Sequence, residues 1–150
     1  MSMTKRALII VGMQMDYCRG GAIAVEEGDR IVPVINRYID GFTEAGGSIY
    51  VVRDIHPEET PHFKGSGGKW PPHCVKGTPG AEFPSNLKLA PESIIITKGL
   101  DPVEECSSAF EGTDENGQTL ADSLRARGIN HLYITGLATD YSVRATALDA

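Results

Sequence analysis

The sequence predicts an α/β fold, an open parallel sheet with helices on both faces, and three observations predict it. Four short apolar runs rich in β-branched residues recur along the chain: Ala7–Val11, Ser48–Val52, Ser93–Thr97 and His131–Thr135. Each run is continuous rather than alternating, the pattern of a strand buried on both faces. Helical spacing lies between the runs, and strands separated by helices build parallel sheets.

Taken in order, the first run follows Lys5-Arg6 and resembles a short secretory leader. Its apolar stretch is too brief, however, and no small-residue cleavage site follows, so it reads as the first strand. Ile31, Ile35, Tyr38, Ile39 and Phe42 then recur at helical spacing, closed by Gly46-Gly47 as a C-cap. After the second strand, the segment from Pro57 to Pro91 is rich in Gly and Pro and reads as an ordered functional loop. Beyond the third strand, Thr119 opens a helical stretch through Leu120 and Leu124 that Gly128 closes. Tyr141 to Ala150 begin a third helix. No internal repeat or linker interrupts the 150 residues, a length that suits a single domain over 1–150.

Composition excludes several classes. Fourteen Lys+Arg against 20 Asp+Glu give a net charge of −6, with no basic cluster to bind a nucleic-acid backbone. No apolar run approaches the ~18 residues that span a bilayer, so no membrane partner is expected. Three cysteines, Cys18, Cys74 and Cys106, are too few and odd in number for a disulfide framework, which points to a reducing, cytoplasmic setting.

Ligands in open parallel sheets bind beyond the carboxyl ends of the strands. There the sequence places Gly12, Gln14 and Asp16, then Asp54 and His56, then Lys98, then Gly136 to Ser142. Asp54-x-His56, His62 and His73 gather one carboxylate and three of the four histidines within a short stretch. At a strand end, residues two apart point the same way. Imidazole and carboxylate together suit a divalent ion, Zn, Fe or Mn. Unconnected loop histidines explain any one pair; four candidate ligands on one loop favour the metal. His131 opens a strand and is assigned to structure. Gly65-Ser66-Gly67-Gly68-Lys69-Trp70 lacks both the Walker spacing and the Ser/Thr after the Lys, so it is not a phosphate cradle. Trp70, lying between His62 and His73, is expected to form a wall of the site.

These segments together resemble the nicotinamidase/pyrazinamidase group of the isochorismatase-like hydrolases. The resemblance is carried by Ala7–Val11 with Gln14, Asp16, Tyr17-Cys18 and Gly20-Gly21; by Asp54-x-His56; and by Trp70-Pro-Pro-His73-Cys74-Val75-x-Gly77-Thr78-Pro79-Gly80. It continues through Lys98-Gly99, Phe110-Glu111-Gly112-x-Asp114-Glu115-Asn116-Gly117 and Gly136-Leu137-Ala138-Thr139-Asp140, covering essentially the whole chain. It implies a Rossmann-like three-layer fold, lacking here the last strands and helix with which family members continue.

The resemblance also implies a chemistry. A thiolate attacks the carboxamide carbon of nicotinamide or pyrazinamide, ammonia leaves, and water releases the acid. Lys98 matches the lysine of the triad. Backbone N–H groups of Ala138 and residue 142 would hold the oxyanion, with a cis peptide at Leu137–Ala138. Asp54, His56, His62 and His73 would hold the metal, and Tyr17 and Trp70 would contact the substrate. Two positions depart from the pattern: Gly12 stands where the family carries its aspartate, and Ser142 where it carries its cysteine, with Met15 beside them. A serine hydroxyl needs a neighbouring base to become nucleophilic, and Gly12 removes that base. The expectation is thus a silenced nicotinamidase, with a non-catalytic, metal-dependent pyridine binder or an inactive fragment as the alternative. A homo-oligomer is a further expectation.

Overall fold

Strand β1 (Arg6–Val11) lies at the centre of the computed structural model, which describes residues 3–102 and 106–150. It pairs in parallel with β2 (Ser48–Asp54) on one side and β4 (His131–Gly136) on the other. Strand β3 (Ile94–Lys98) adds beyond β2, giving the order β3-β2-β1-β4. All pairings are parallel, as the continuous apolar runs require.

The two faces of β1 are covered separately. Leu8 and Ile10, with Ile49 and Val51 of β2, pack against Val32, Ile35 and Ile39 of helix α1 (Val32–Glu44). Ala7, Ile9 and Val11, with Tyr50, Val52 and Ile96, pack against Leu120 and Leu124 of helix α2 (Leu120–Ala126). Helices on both faces are what the sequence leads one to expect. Helix α1 carries a proline in its first turn, where the missing N–H costs nothing. Gly46, at φ +70°, ends it in the left-handed conformation that glycine adopts without strain.

Helix α2 is capped as its sequence foretells, the Thr119 hydroxyl accepting from the Asp122 amide at 3.2 Å. Thr119→Ala is expected to lower stability by about 1 kcal/mol. An unchanged urea midpoint would show that the cap contributes nothing.

Several boundaries differ from expectation: β1 begins at Arg6, β2 runs on to Asp54, β3 begins at Ile94 and β4 runs on to Gly136. The third strand runs one residue further than Thr97, so Lys98 is a strand residue whose direction the sheet fixes. The expected helix from Tyr141 is two pieces, a π-helical turn over 139–143 and helix α3 (Arg144–Asp149). Their junction is set by the Ala138 carbonyl, which accepts from both the Tyr141 and the Val143 amides at 3.1 Å.

The loop from Pro57 is ordered by contacts back to the end of β1. The Met15 amide donates to Glu82 O at 2.9 Å, and Asp16 Oδ2 accepts from the Cys74 amide at 2.7 Å. Gly80 lies against the Asp16 carboxylate so closely that a Cβ there would overlap it.

Candidate active site

The chain leaves β1 toward β2 on one side, while β4 lies on the other, so the carboxyl ends of β1 and β4 mark the point where strand order reverses. Parallel sheets open a crevice at such a point. Two glycines let the backbones meet there. Gly136, at φ +122°, has no room for a Cβ, which would overlap Val11 O. Gly12, at φ +63°, would place a Cβ 2.5 Å from Leu137 O. The Leu137–Ala138 peptide is cis, as the resemblance implies.

Gln14 is fully buried and clasps the end of β2. Its Nε2 donates to Asp54 O at 2.7 Å and to Ala81 O at 2.9 Å, while its Oε1 accepts from the Asp54 amide at 2.8 Å. A buried amide is tolerated only when its donors and acceptor are so engaged.

Held by this clasp, the Asp54 carboxylate has a donor on each oxygen. Oδ1 accepts from Lys98 Nζ at 2.5 Å, and Oδ2 accepts from the Tyr17 hydroxyl at 2.7 Å. Asp54 and Lys98 are both almost wholly buried. Burial alone pushes the Asp54 carboxyl up; the Lys98 ammonium and the Tyr17 hydrogen bond outweigh it and hold the pKa below the usual value. Burial, then the Asp54 charge, raises the Tyr17 phenol, so it remains a donor. Cys74 lies beside Tyr17, and burial pushes its thiol well above the ordinary range, so it is no thiolate nucleophile.

The histidines present a different chemistry. His56 Nδ1 lies 3.1 Å from Gly99 O and His73 Nδ1 2.8 Å from Pro71 O. A carbonyl can only accept, so each Nδ1 carries the proton and each Nε2 keeps its lone pair, the arrangement that prepares imidazole for a metal. The two rings meet edge to face with centroids 4.9 Å apart, and Phe63 packs against both. Burial lowers the pKa of His56 and keeps its ring neutral. His62 Nε2 is buried with no hydrogen-bond partner. His56, His62, His73 and the Asp54 carboxylate, whose oxygens each keep a lone pair, line one cavity and are of the types that hold a divalent ion. Among the described residues, no three His, Cys, Asp or Glu side chains already converge into a metal-holding group.

Trp70 and Tyr141 frame the mouth with ring centroids 5.5 Å apart, and Lys69 Nζ lies 5.0 Å from the Trp70 ring. Behind them is a cavity of about 280 Å³. It sits at the small end of ligand pockets, which run from ~300 to ~1,000 Å³. Tyr17, Asp54, His56, His62, Trp70, His73, Lys98, Ala138 and Ser142 all line it, so the sequence-derived residues meet in one place. Gly12 is not among the lining residues, and a Cβ built on it would meet Leu137 O. The position therefore presents no group to the cavity. A larger open groove, about 910 Å³, lies at the opposite ends of the strands around Lys5, Arg6 and Ser48. It faces away from the crevice and gathers no acid–base or metal-binding set. His131 stands at that far end, exposed, against Tyr133.

Gln14 and Tyr141 were not assigned roles from sequence. A glutamine directly after a buried strand was the available sign for the first. Nothing local marks the second.

The sequence profile of the Isochorismatase domain matches residues 6–150. A nicotinamidase/pyrazinamidase of Mycobacterium tuberculosis is 42% identical over 150 residues, covering 97% of this chain and 78% of that protein. The crystal structure of the pyrazinamidase of Pyrococcus horikoshii in complex with zinc superposes with a TM-score of 0.89 at 48% identity, covering 97% of this chain and 78% of that one. PnC1 from L. infantum in complex with nicotinate superposes at 0.84 and 33% identity, covering 98% and 74%.

Proposed function

The chain belongs to the isochorismatase family, and on that premise we propose that it carries a nicotinamidase-type site, binding nicotinamide or a related pyridine or pyrazine carboxamide and hydrolysing it weakly. The observation that carries this reading is the small aromatic-walled cavity beside three imidazoles at the strand-order switch. The Pyrococcus neighbour holds zinc and the L. infantum neighbour nicotinate, which supports a metal and a pyridine ring as ligands here.

Asp54, His56, His62 and His73 would hold the divalent ion, and such an ion would supply a Lewis acid for the ring nitrogen of the substrate. Trp70, Tyr141 and Tyr17 wall the cavity and exclude water from the bound ring. Ser142, buried within the π-helical turn and lining the cavity, is the hydroxyl that would attack the carboxamide carbon. The Ala138 and Ser142 amides are the oxyanion donors in this reading. Attack forms the C–O bond, the C–N bond breaks as ammonia leaves with a proton, and water then hydrolyses the ester to the acid. Proton transfer is the weak step: Lys98 is committed to Asp54, and residue 12 offers no carboxylate.

That same weakness favours a second reading, a non-catalytic metal-dependent binder of the same ligands. Calorimetric titration of nicotinamide with and without Zn²⁺, paired with an ammonia assay, separates the two. Metal-dependent binding with slow ammonia release supports the weak hydrolase. Binding with none supports the binder, and no binding overturns both.

Trp70→Ala is expected to weaken nicotinamide binding about tenfold, since an aromatic pair adds ~0.5–1.5 kcal/mol beyond its buried area. An unchanged Kd would remove Trp70 from the ligand. A reducing cytoplasm is the setting proposed for it, and among the described residues no helix is long and apolar enough to cross a membrane.

A further inference from the structure

We infer that the Tyr17 hydroxyl is a positioning group of the proposed metal site, fixing the Asp54 carboxylate relative to the His73 ring so that the two can share an ion. The inference rests on the proposed function in one respect, that Asp54 and the histidines take the metal.

The two donors on Asp54 differ in kind. Lys98 Nζ, on Oδ1 at 2.5 Å, balances its charge. The Tyr17 hydroxyl, on Oδ2 at 2.7 Å, brings no charge and serves orientation alone. An ammonium on a flexible four-carbon stem donates in any of three directions, so Lys98 by itself lets the carboxylate swing about its Cβ–Cγ bond. A donor on the other oxygen stops the swing, because any turn must then break both hydrogen bonds. Each oxygen keeps a lone pair, so the pinned carboxylate is still able to bind an ion.

Tyr17 suits this task because its own frame is fixed. Its amide donates to Gln14 O and its carbonyl accepts from the Val25 amide, both at 3.0 Å. Gln14 also holds the Asp54 backbone, so the phenol and the carboxylate are set from one residue. The Tyr17 ring then reaches a second candidate ligand: it lies against His73, centroids 5.8 Å apart and tilted by 56°. That spacing is within the ~4.5–7 Å of packed aromatic pairs. One side chain thus spans Asp54 and His73, which arrive from a strand end and from the long loop. Phenylalanine would wall the cavity as well as tyrosine does. A hydroxyl in such a place is unfavourable unless bonded, and its bond goes to Asp54.

The test is Tyr17→Phe, which keeps the ring and removes only the hydroxyl, in competition of the full chain against a chromophoric chelator for Zn²⁺, with folding followed by circular dichroism. Zn²⁺ affinity is expected to fall ~10–100-fold, the loss typical when an outer-shell partner of a ligand is removed. A purely structural hydroxyl would lower the thermal midpoint of the metal-free chain and leave this affinity unmoved, and that result overturns the inference. Tyr17→Phe added to Asp54→Asn is expected to cost nothing further, since the hydroxyl acts through the carboxylate. A second full loss overturns the inference. If Asp54→Asn fails to fold, the visible spectra of the Co²⁺-loaded parent and Tyr17→Phe decide. A displaced carboxylate shifts the d–d bands, and identical spectra overturn the inference. If the parent binds no Zn²⁺, the proposed function loses its metal and this inference falls with it. If the parent binds Zn²⁺ and Tyr17→Phe binds it equally well, this inference alone is overturned.

Discussion

Ammonia release from nicotinamide at saturating metal is expected to be ~10²–10⁴-fold slower in this chain than in the double variant Gly12→Asp/Ser142→Cys, the range attributed to positioned proton transfer. Neither single variant is expected to close the gap. Ser142→Cys supplies a better nucleophile, yet nothing positioned takes its proton. Lys98 cannot, because its ammonium is locked to Asp54 in a buried pair. Gly12→Asp supplies the carboxylate but meets a hydroxyl. Members of such a set act as a unit, so the double variant should exceed the product of the single gains. The structure adds a cost. At φ +63°, a Cβ on residue 12 lies 2.5 Å from Leu137 O, so Gly12→Asp must shift the backbone of residue 12 or of Leu137. A non-glycine residue in that conformation is strained. Gly12→Asp should therefore lower the thermal midpoint, whereas Ser142→Cys, nearly isosteric, should not. Rapid turnover by the parent would mean that Ser142 has another activator. A folded but inactive double variant would mean that the family's chemistry does not operate in this cavity.

The sheet was readable because burial on both faces leaves a mark in every strand residue. Ala7–Val11 and Val51–Val52 needed no knowledge of their partners to be recognised as interior. Helix α2 was readable because its start depends on one side chain, Thr119, three residues from the amide it caps. The π-helical turn was not, because it depends on one carbonyl taking two amides, and no side chain of 139–143 encodes that. In the site, the histidines and Asp54 announced themselves by spacing. The use of Asp54 did not. Its partners Tyr17 and Lys98 arrive from other strand ends, 37 and 44 residues away, through a register pairing Val11 with Val52 and Asp54 with Lys98. The same register brings Gln14 to the Asp54 backbone. Gly12 shows the limit from the other side. The sequence shows that a carboxylate is missing, but only the structure shows that a Cβ at this position would meet Leu137 O.

Asp54→Ala is expected to destabilise the fold by about 3–5 kcal/mol, the usual cost of removing one partner from a buried ion pair. The loss comes from what is left behind: an ammonium 2% exposed, whose other hydrogen-bond partner is Cys106 O at 3.4 Å, and a Tyr17 hydroxyl without its acceptor. Lys98→Met should cost less at low pH than at neutral pH. Without the ammonium, burial, the factor that raises the Asp54 pKa, dominates, and the carboxyl is accommodated as the neutral acid until pH rises through its elevated folded pKa. The parent has the opposite sign. Its Asp54 pKa is lowered, so the contribution is complete above the ordinary carboxylate range and is lost as pH falls through the folded value. Replacing both charges, Asp54→Leu with Lys98→Met, should recover most of the loss, because a packed apolar pair often equals a buried ion pair. The remainder is the orphaned Tyr17 hydroxyl, ~1–3 kcal/mol. Urea unfolding of the parent, the single variants and the double variant at pH 7 reads the coupling directly. A coupling near zero would mean that Asp54 and Lys98 are stabilised independently of each other, and the ion pair would then lose its place as the support on which the pocket is built.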